Sequence, residues 1–272
     1  MRPVLVRRTK SEVLEELTEI RLDADPSAEE RELYQQVRLA ALAGLLGAEK
    51  GPDQRFQVLA ALTRLRQLAC HPRLVVPDSP VESAKLAVFL ETVDELREGG
   101  HRALVFSQFT SFLAIVREAL DARKVSYRYL DGSTPAKARD EAVAAFQAGE
   151  GDLFLISLKA GGTGLNLTAA DYVIHLDPWW NPAVEDQATD RAHRIGQTRP
   201  VTVYRIVSPG TIEDKVLALH AGKRDLVEGI LDGTDQQAGA ASQQAGAASQ
   251  AAKLSVEELI ALLRESDAPV RR

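Results

Sequence analysis

The segment QATDRAHRIGQTRPV, Gln187–Val201, gathers three arginines, one histidine and two glutamines within fifteen residues. A helix is predicted within Pro182–Arg194, and the spacing of Gln187, Arg191 and Arg194 by four and three residues places them on one helix face. Arginines at the ligand-binding edge of an α/β sheet suit a triphosphate, whose transition state spreads charge over several oxygens. Surface ion pairs with the neighbouring carboxylates are the alternative interpretation.

The stretch LKAGGTGLNLT, residues 158–168, is a second candidate for ligand binding. Gly161, Gly162 and Gly164 remove side chains where the backbone turns tightly or approaches a ligand closely, and exposed amides in such a loop can form an anion nest. The P-loop pattern GxxxxGK[ST] is absent from the chain, and GxGxxG fails because Leu167 stands at the third glycine position. A glycine-rich turn without a ligand is the alternative.

Two polar loops follow predicted strands: SQFT at Ser107–Thr110 and DGST at Asp131–Thr134. In open α/β sheets, ligands bind beyond the carboxyl ends of the strands. The hydroxyl and amide groups of both loops are therefore placed to hydrogen-bond phosphate oxygens. A helix N-cap, by Thr110 in the first loop, explains the same residues equally well.

The elements that must position these loops alternate along residues 101–231. Short apolar runs such as RALVFS, DLFLIS and DYVIHLD are separated by amphipathic helical segments, which predicts βαβ units. The predicted fold is one doubly wound α/β domain, with a mainly parallel sheet and helices on both faces. Upstream, the helical period predicts an all-helical segment of four helices before any strand. Thr9 or Ser11 is predicted to cap the first of these helices and Ser27 the second, and the other two begin near Gln54 and at Ser83.

The sequence after Asp235 changes to two tandem copies of QQAGAAS and a partial third. Alanine and glycine offer too little apolar surface for a coiled coil, so a flexible linker is predicted over residues 233–252. In residues 253–272, Ser255 and Glu258 form a capping box for a C-terminal amphipathic helix. Its leucine stripe is expected to pack on a partner surface, within this chain or outside it.

Composition limits the class of protein. A chain of 272 residues with 45% apolar residues can bury a hydrophobic core. The single cysteine, Cys70, fits a reducing compartment, and with His71 it is too isolated for a metal site. Without a long apolar run or a secretory signal, the expected location is cytoplasmic, with no membrane partner. The net charge of −6 argues against a wholly basic surface, but charges balance between Gly100 and Gly210, so a local basic face remains possible.

Several segments, in order from about Arg2 to Leu219, resemble the SWI/SNF-type ATPases of helicase superfamily two. LKAGGTGLNLTAADYVIHLDPWWNPAVEDQATDRAHRIGQTRPVTVYRIV resembles motifs five and six of that family, and LVFSQFTSFL and YLDGSTPAKARDEAVAAF resemble the motifs before them. RPVLVRRTKSEV and LTRLRQLACHP are similar to the region that connects the two lobes. The resemblance implies a second RecA-like lobe at residues 83–232, preceded by a helical connecting segment at 1–82. The first lobe, with its Walker A lysine and acidic Walker B box, is missing.

The resemblance further implies a motor that moves along double-stranded DNA and hydrolyses ATP between two lobes. The first lobe, in cis or in trans, would hold ATP and Mg²⁺, so this chain alone is expected to be an incomplete ATPase. Arg191 and Arg194 match the family's arginine fingers. Nucleotide contacts are expected at Gln187, Gly162, Gly164 and Asn166. DNA phosphate contacts are expected at Ser107, Gln108, Thr110, Ser133, Ser157 and Lys159.

The sequence leaves two questions open, the function of the chain and the role of its two tryptophans. The chain is either the second lobe of such a motor or a non-enzymatic DNA- or protein-binding module from a truncated or split gene. These hypotheses differ in whether a first lobe completes the site. Trp179 and Trp180 are interpreted as packing anchors, with exposure at a DNA or lobe interface as the alternative. In a bacterium, the expected location is the cytoplasm at the nucleoid.

Overall fold

The computed structural model describes residues 16–47, 53–160, 165–220 and 254–264. Three predicted features lie outside these ranges: most of the helix that begins near Thr9 or Ser11, the three glycines of residues 161–166, which are called the glycine-rich loop below, and the linker at 233–252. Among the described helices, none is both long and apolar enough to cross a membrane.

From residue 103 onwards the described elements follow the predicted order, with a helix between successive strands except between the fourth and the fifth strand. In chain order they are β1 (Leu17–Asp23), α1 (Ala28–Gly47), α2 (Gln54–Cys70), a short 3₁₀ helix (Pro72–Leu74), α3 (Ala84–Glu98), β2 (Ala103–Ser107), α4 (Thr110–Ala122), β3 (Tyr127–Leu130), α5 (Ala136–Gln147), β4 (Leu153–Ser157), β5 (Tyr172–His175), α6 (Pro182–Thr189), β6 (Val201–Val207), α7 (212–220) and α8 (Val256–Arg264).

The first helices begin and end where local signals place them. At the start of α1, the Ser27 backbone N–H donates to the Glu30 carboxylate at 2.8 Å, and the Glu30 N–H donates to the Ser27 hydroxyl at 3.1 Å. This reciprocal pair is a capping box, and it confirms Ser27 as a cap. Helix α2 ends at Cys70, two residues before Pro72, which has no N–H to continue the helix.

A strand, β1, precedes every described helix, so the prediction of an all-helical segment before the sheet is wrong. The sequence LTEIRLD largely alternates polar and apolar residues, which suits a strand, although its five leading residues are exposed. Pairing with β6 stabilises it: the Val201 N–H donates to the Glu16 carbonyl at 2.9 Å, and the Ala24 N–H donates to the Val207 carbonyl at 2.8 Å. This long-range pairing determines that residues 17–23 form a strand and not part of a helical segment.

The six strands form one sheet in the order β1-β6-β5-β2-β4-β3. Strand β2 pairs in parallel with β4 and with β5, β3 with β4, and β5 with β6. All five residues of both β2 and β4 are buried, as expected for central parallel strands covered on both faces. The predicted RecA-like fold, a doubly wound α/β sheet, is confirmed.

The sheet reverses its winding between β2 and β4. The chain leaves β2 towards β3 on one side, whereas it leaves β4 towards β5 on the other side of β2. Because parallel crossovers are right-handed, these two connections run over opposite faces of the sheet, and such a switch point is where open α/β sheets bind ligands. The loops after β2 and β4 are joined at their start, because the Leu158 N–H donates to the Ser107 carbonyl at 2.9 Å.

The chain divides into two compact units, one comprising residues 1–22, 90–176 and 185–205. The other unit comprises residues 23–89, 177–184 and 206–272. The first contains the central strands and the loops at their carboxyl ends. The second has a mainly helical core built by α1, α2, α7 and α8.

Helix α8 was expected to pack either within this chain or on another protein, and it packs within this chain. Its capping box is present: the Ser255 N–H donates to Glu258 at 2.6 Å, and the Glu258 N–H donates to the Ser255 hydroxyl at 3.1 Å. Leu259 and Leu263 are fully buried in the helical core. At the other end of α8, Arg38 donates to the Leu263 carbonyl at 3.1 Å, and Lys215 donates to the Leu262 carbonyl at 2.6 Å.

The second unit contains a buried ion pair near the end of β6. Lys85 Nζ lies 2.7 Å and 2.8 Å from the two carboxylate oxygens of Glu213, and both side chains are almost fully buried. Lys85 also donates to the Ile206 carbonyl at 3.0 Å, while Glu213 accepts from the Ser208 N–H at 2.8 Å. Because buried charges need partners, this network fixes the starts of α3 and α7 against the end of β6.

Candidate nucleotide and DNA site

The clustered arginines lie in a turn rather than on a helix. Helix α6 ends at Thr189, and Arg191 and Arg194 follow it, so the prediction of a shared helix face is wrong. The Ala192 N–H donates to the Thr189 carbonyl at 3.0 Å, an i→i−3 bond that tightens the end of the helix. Residues 190–197 are called the arginine turn below.

Arg191 points inwards from the arginine turn and is 7% exposed. Its guanidinium carbon lies 5.6 Å from the centre of the ring of Phe106, the second-last residue of β2. Burial, and then the nearby charge of Arg139, lower the pKa of Arg191 to about 10. Arg139 itself donates to the Ala160 carbonyl at 2.7 Å, directly before the glycine-rich loop. Arg191 thus stays cationic at neutral pH beside a second cation.

Arg194 and Gln187, by contrast, are exposed. Between Arg194 and the end of the arginine turn, Ile195 is 76% exposed, an unusual position for an apolar side chain. Gly196 has a φ of +104°, a conformation that strains any other residue, and it lets the backbone reverse here. The turn therefore offers one buried and one exposed arginine instead of two side by side.

Sequence reasoning missed Gln197, which closes the arginine turn. Its side-chain amide donates to the carbonyl oxygens of Thr168, Ala170 and Ala192 at 3.2, 2.8 and 3.2 Å. The positive φ of the preceding glycine marks a tight turn, but no sequence signal identifies which distant carbonyls the amide reaches.

Part of the predicted nucleotide set lies outside the described residues, namely Gly162 and Gly164. Asn166 is described and exposed. The next residue, Leu167, is fully buried, and its N–H donates to the Arg191 carbonyl at 3.0 Å. The backbone that leaves the glycine-rich loop is thus joined to the arginine turn.

The predicted DNA contacts at the switch point differ in exposure. Ser107 and Ser157 lie opposite each other at the ends of β2 and β4, and both are buried. The Ser107 hydroxyl accepts from the Phe109 N–H at 3.1 Å and so shapes the loop. Lys159 and Thr110 are exposed.

Neither polar loop uses the expected helix cap. Thr110 is the first residue of α4, preceded by Phe109 without a side-chain cap, and Gln108 beside it is half-buried. Helix α5 begins after Pro135, again without a side-chain cap. The N-cap interpretation of Thr110 is therefore wrong.

In the second loop, Asp131 organises the hydroxyl groups. Its carboxylate accepts from the Ser133 N–H at 2.8 Å, from the Ser133 hydroxyl at 2.6 Å and from the Tyr129 hydroxyl at 2.8 Å. These hydrogen bonds lower the pKa of Asp131 to about 2. Ser133 is exposed, but the geometry fixes its hydroxyl towards Asp131.

Comparison with known proteins identifies the lobe. Residues 84–196 match the family described as "Helicase conserved C-terminal domain". The chain resembles the SWI2/SNF2 ATPase C-terminal domain of Sulfolobus solfataricus, with a TM-score of 0.68 and 28% identity over 90% of this chain and 96% of that one. The chain belongs to the SWI/SNF ATPase family. It corresponds to that family's C-terminal RecA-like lobe.

Two further relatives place this SWI/SNF lobe in longer proteins. The Sulfolobus solfataricus SWI2/SNF2 ATPase core in complex with dsDNA has a TM-score of 0.68 and 31% identity, covering 80% of this chain and 47% of that chain. The "Putative ATP-dependent helicase/translocase YwqA" of Bacillus subtilis is 38% identical over 252 residues, 85% of this chain but 26% of that protein. The lobe thus spans about a quarter of the length of its curated relative.

The tryptophan segment of this SWI/SNF lobe belongs to the second compact unit. Trp179 is 5% exposed, and its carbonyl accepts from His220 Nε2 at 2.5 Å. Arg66 lies with its guanidinium carbon 5.2 Å from the Trp180 ring centre and donates to the Pro178 carbonyl. Trp180 packs against the helical core. These contacts favour the interpretation of both tryptophans as packing anchors.

A buried histidine, also missed by sequence reasoning, lies at the end of β5. His175 stacks on Phe106 with ring centres 5.6 Å apart, and its Nε2 lies 3.2 Å from the Thr189 hydroxyl at the end of α6. Burial is the main cause that lowers its pKa to about 4, so the ring is neutral at physiological pH. Phe106 therefore contacts a neutral histidine and also lies beside the cationic Arg191.

Proposed function

We propose that this chain is the second motor lobe of a SWI/SNF-type, ATP-dependent translocase on double-stranded DNA. The supporting observation is the arginine turn, which joins a buried and an exposed arginine to the backbone that follows the glycine-rich loop. The likeness to a SWI2/SNF2 ATPase core in complex with dsDNA supports the choice of double-stranded DNA.

The chemical groups of this chain indicate which parts of the nucleotide site each lobe would supply. Arginines suit the γ-phosphate of ATP because a guanidinium donates two parallel hydrogen bonds and keeps its charge. The sequence has no Walker A pattern, and the described residues contain no group of three acidic, histidine or cysteine side chains placed to hold a metal. ATP and Mg²⁺ would therefore be held mainly by the first lobe, and bound Mg²⁺ would neutralise phosphate charge there.

Arg191 and Arg194 would serve that nucleotide in different ways. Arg194 is exposed and can reach a phosphate on a facing lobe, whereas Arg191 lies buried near Arg139. An anion bound near the buried Arg191 and the half-buried Arg139 would relieve the repulsion between them. Arginine fingers supplied from another element contribute roughly 10³ to 10⁵ in rate. Gln187, exposed on α6, together with Asn166 and the glycines Gly162 and Gly164, would complete the nucleotide contacts.

The loops at the switch point would contact DNA phosphates. Thr110 and Lys159 are the exposed side chains of these two loops, and Ser133 is exposed in the neighbouring loop after β3. Ser107 and Ser157 are buried, and Gln108 is half-buried, so these three residues would act by shaping the loop backbone. Phosphate contacts carry no base sequence and weaken with salt. Binding is therefore expected to be independent of sequence.

The experiment that tests this function measures ATP hydrolysis by the chain alone, with and without double-stranded DNA, and again after addition of the separately expressed first lobe. Activity only in the mixture, stimulated by DNA, supports a motor lobe that is completed by the first lobe. Activity in the lone chain would contradict the proposal, because the chain would then hold its own nucleotide site. DNA binding without activity in the mixture would favour the non-enzymatic binding module.

A further inference from the structure

One side chain joins the arginine turn to the segment that follows the glycine-rich loop. The Gln197 amide donates to the carbonyl oxygens of Ala170 at 2.8 Å and of Thr168 and Ala192 at 3.2 Å. Its oxygen accepts from the N–H groups of the two residues that follow it, at 3.0 and 3.1 Å. A primary amide has two N–H donors and one carbonyl oxygen. Gln197 therefore uses all of its hydrogen-bonding capacity.

The backbone adds a further connection between the same two segments. The Leu167 N–H donates to the Arg191 carbonyl at 3.0 Å. The Ala192 carbonyl held by Gln197 lies between Arg191 and Arg194 in sequence. Bonds to the carbonyls of residues 191 and 192 thus hold the backbone between the two arginines, so a shift of either segment moves the other.

We propose that Gln197 is a positioning residue, which sets the placement of Arg191 and Arg194 by holding the arginine turn against residues 167–170. The inference rests on the proposed function, because the arginines must act on a nucleotide for their placement to affect turnover. A misplacement of about 1 Å at a reacting group lowers the rate by up to roughly 100-fold. Residues 167–170 follow the glycine-rich loop directly, so the same amide transmits a shift of that loop to the arginines.

The variant Gln197→Glu isolates the donor role. Glutamate has nearly the same size and keeps an oxygen to accept from the two following N–H groups, but its carboxylate offers no hydrogen to the three carbonyl oxygens. In the two-lobe protein, we expect kcat per folded molecule to fall about 10-fold to 100-fold. The KM for ATP should change far less, because alignment in the transition state is lost and ground-state binding is kept.

The matched control is Gln57→Glu, the same change at an exposed position on α2. It adds the same charge far along the chain from the arginine turn, so kcat and KM should stay at the values of the unmodified protein. A role of Gln197 in folding alone would lower the melting temperature without changing kcat per folded molecule. That outcome would overturn the inference.

A second variant tests the direction of the hydrogen bonds. In Gln197→Lys, the ammonium group supplies three N–H donors for the three carbonyl oxygens but no acceptor. We expect it to keep more of kcat than Gln197→Glu. The reverse order would show that the acceptor oxygen matters most, which contradicts the inference.

Hydrogen exchange of the 272-residue chain tests the geometry without any catalysis. In Gln197→Glu, the Leu167 amide should exchange faster than in the unmodified chain, because its acceptor at Arg191 is no longer held in place. Gln57→Glu should leave that amide protected. Unchanged protection of Leu167 in Gln197→Glu would overturn the inference whatever the activity data show.

Arg191→Ala, measured in parallel, separates failure of the inference from failure of the proposed function. If Arg191→Ala keeps full turnover, the arginine-finger function fails, and the positioning role fails with it. If Arg191→Ala loses turnover while Gln197→Glu keeps it, only the positioning role of Gln197 fails.

Discussion

Two buried arginines, Arg66 in the helical unit and Arg191 in the arginine turn, have opposite electrical surroundings. Arg66 is 3% exposed, lies 3.9 Å from the Asp177 carboxylate, and stacks near the tryptophan rings. Arg191 is 7% exposed, and its pKa is lowered first by burial and then by the charge of Arg139, another cation. Removing a buried cation from beside its anion destabilises the fold, whereas an anion that binds near two neighbouring cations weakens the repulsion between them.

The largest expected effect is on catalysis, in Arg191→Ala. In the two-lobe protein, kcat for DNA-stimulated ATP hydrolysis should fall by about 10³ or more, because the charge that stabilises the transition state is lost. The free energy of unfolding should change by no more than about 1 kcal/mol, since removal of the cation also relieves repulsion by Arg139. Steady-state ATPase assays and urea unfolding measure the two quantities.

The control for this change is Arg64→Ala, on an exposed position of α2, which should leave both quantities unchanged. Arg194→Ala should lower kcat as well, because Arg194 is the exposed arginine of the turn. Turnover within about twofold of the unmodified protein in both Arg191→Ala and Arg194→Ala would contradict the claim that the arginine turn acts in ATP hydrolysis.

The second effect is on stability, in Arg66→Ala. This change leaves the Asp177 carboxylate, which is 2% exposed, without the guanidinium beside it. Breaking one side of a buried ion pair lowers the free energy of unfolding by about 3–5 kcal/mol. Urea unfolding of the chain, compared with Arg64→Ala, gives the difference. Equal stability of the two variants would mean that Arg66 is no more structural than an exposed arginine.

The smallest expected effect is a pH dependence of stability at His175, which stacks on Phe106, the ring that Arg191 also contacts. Its pKa is about 4 when folded and near 6.5 in an unfolded chain, so the unfolded state binds the proton first as the pH falls. The contribution of His175 to the free energy of unfolding is fully present above pH 6.5 and decreases towards pH 4, by about 3 kcal/mol in total. Urea unfolding should show about 2 kcal/mol of this loss between pH 7 and 5, and His175→Gln should remove most of that change. A slope that persists in the variant would assign the proton to another group.

Local signals predicted the parts of the fold that depend on neighbouring residues. The cap at Ser27 and the capping box of Ser255 with Glu258 bond residues three positions apart, so local sequence predicted both, and the structure adds Glu30 as the reciprocal partner of Ser27. The alternation of buried runs and helices also predicted the parallel sheet. The order of motifs supplied the family, which residue spacing by itself left open.

Long-range contacts decided the parts that the sequence did not predict. Strand β1 depends on β6, which lies almost the whole domain away along the chain, so its short pattern was taken for part of a helical segment. The helical spacing of Arg191 and Arg194 suggested one face, but the bonds from Leu167 and Gln197 hold these residues in a turn. Side chains that act on distant backbone leave no local pattern to detect.

The two cations at the end of α8 make the last helix sensitive to ionic strength. Carbonyl groups at a helix C-terminus carry the negative end of the helix macrodipole, and each nearby cation stabilises it by about 0.3–1 kcal/mol, an amount that salt reduces. Arg38 and Lys215 occupy this position. A salt series designed to count DNA phosphate contacts would therefore also weaken the attachment of α8. Its slope reports DNA alone only when Arg38→Gln gives the same value.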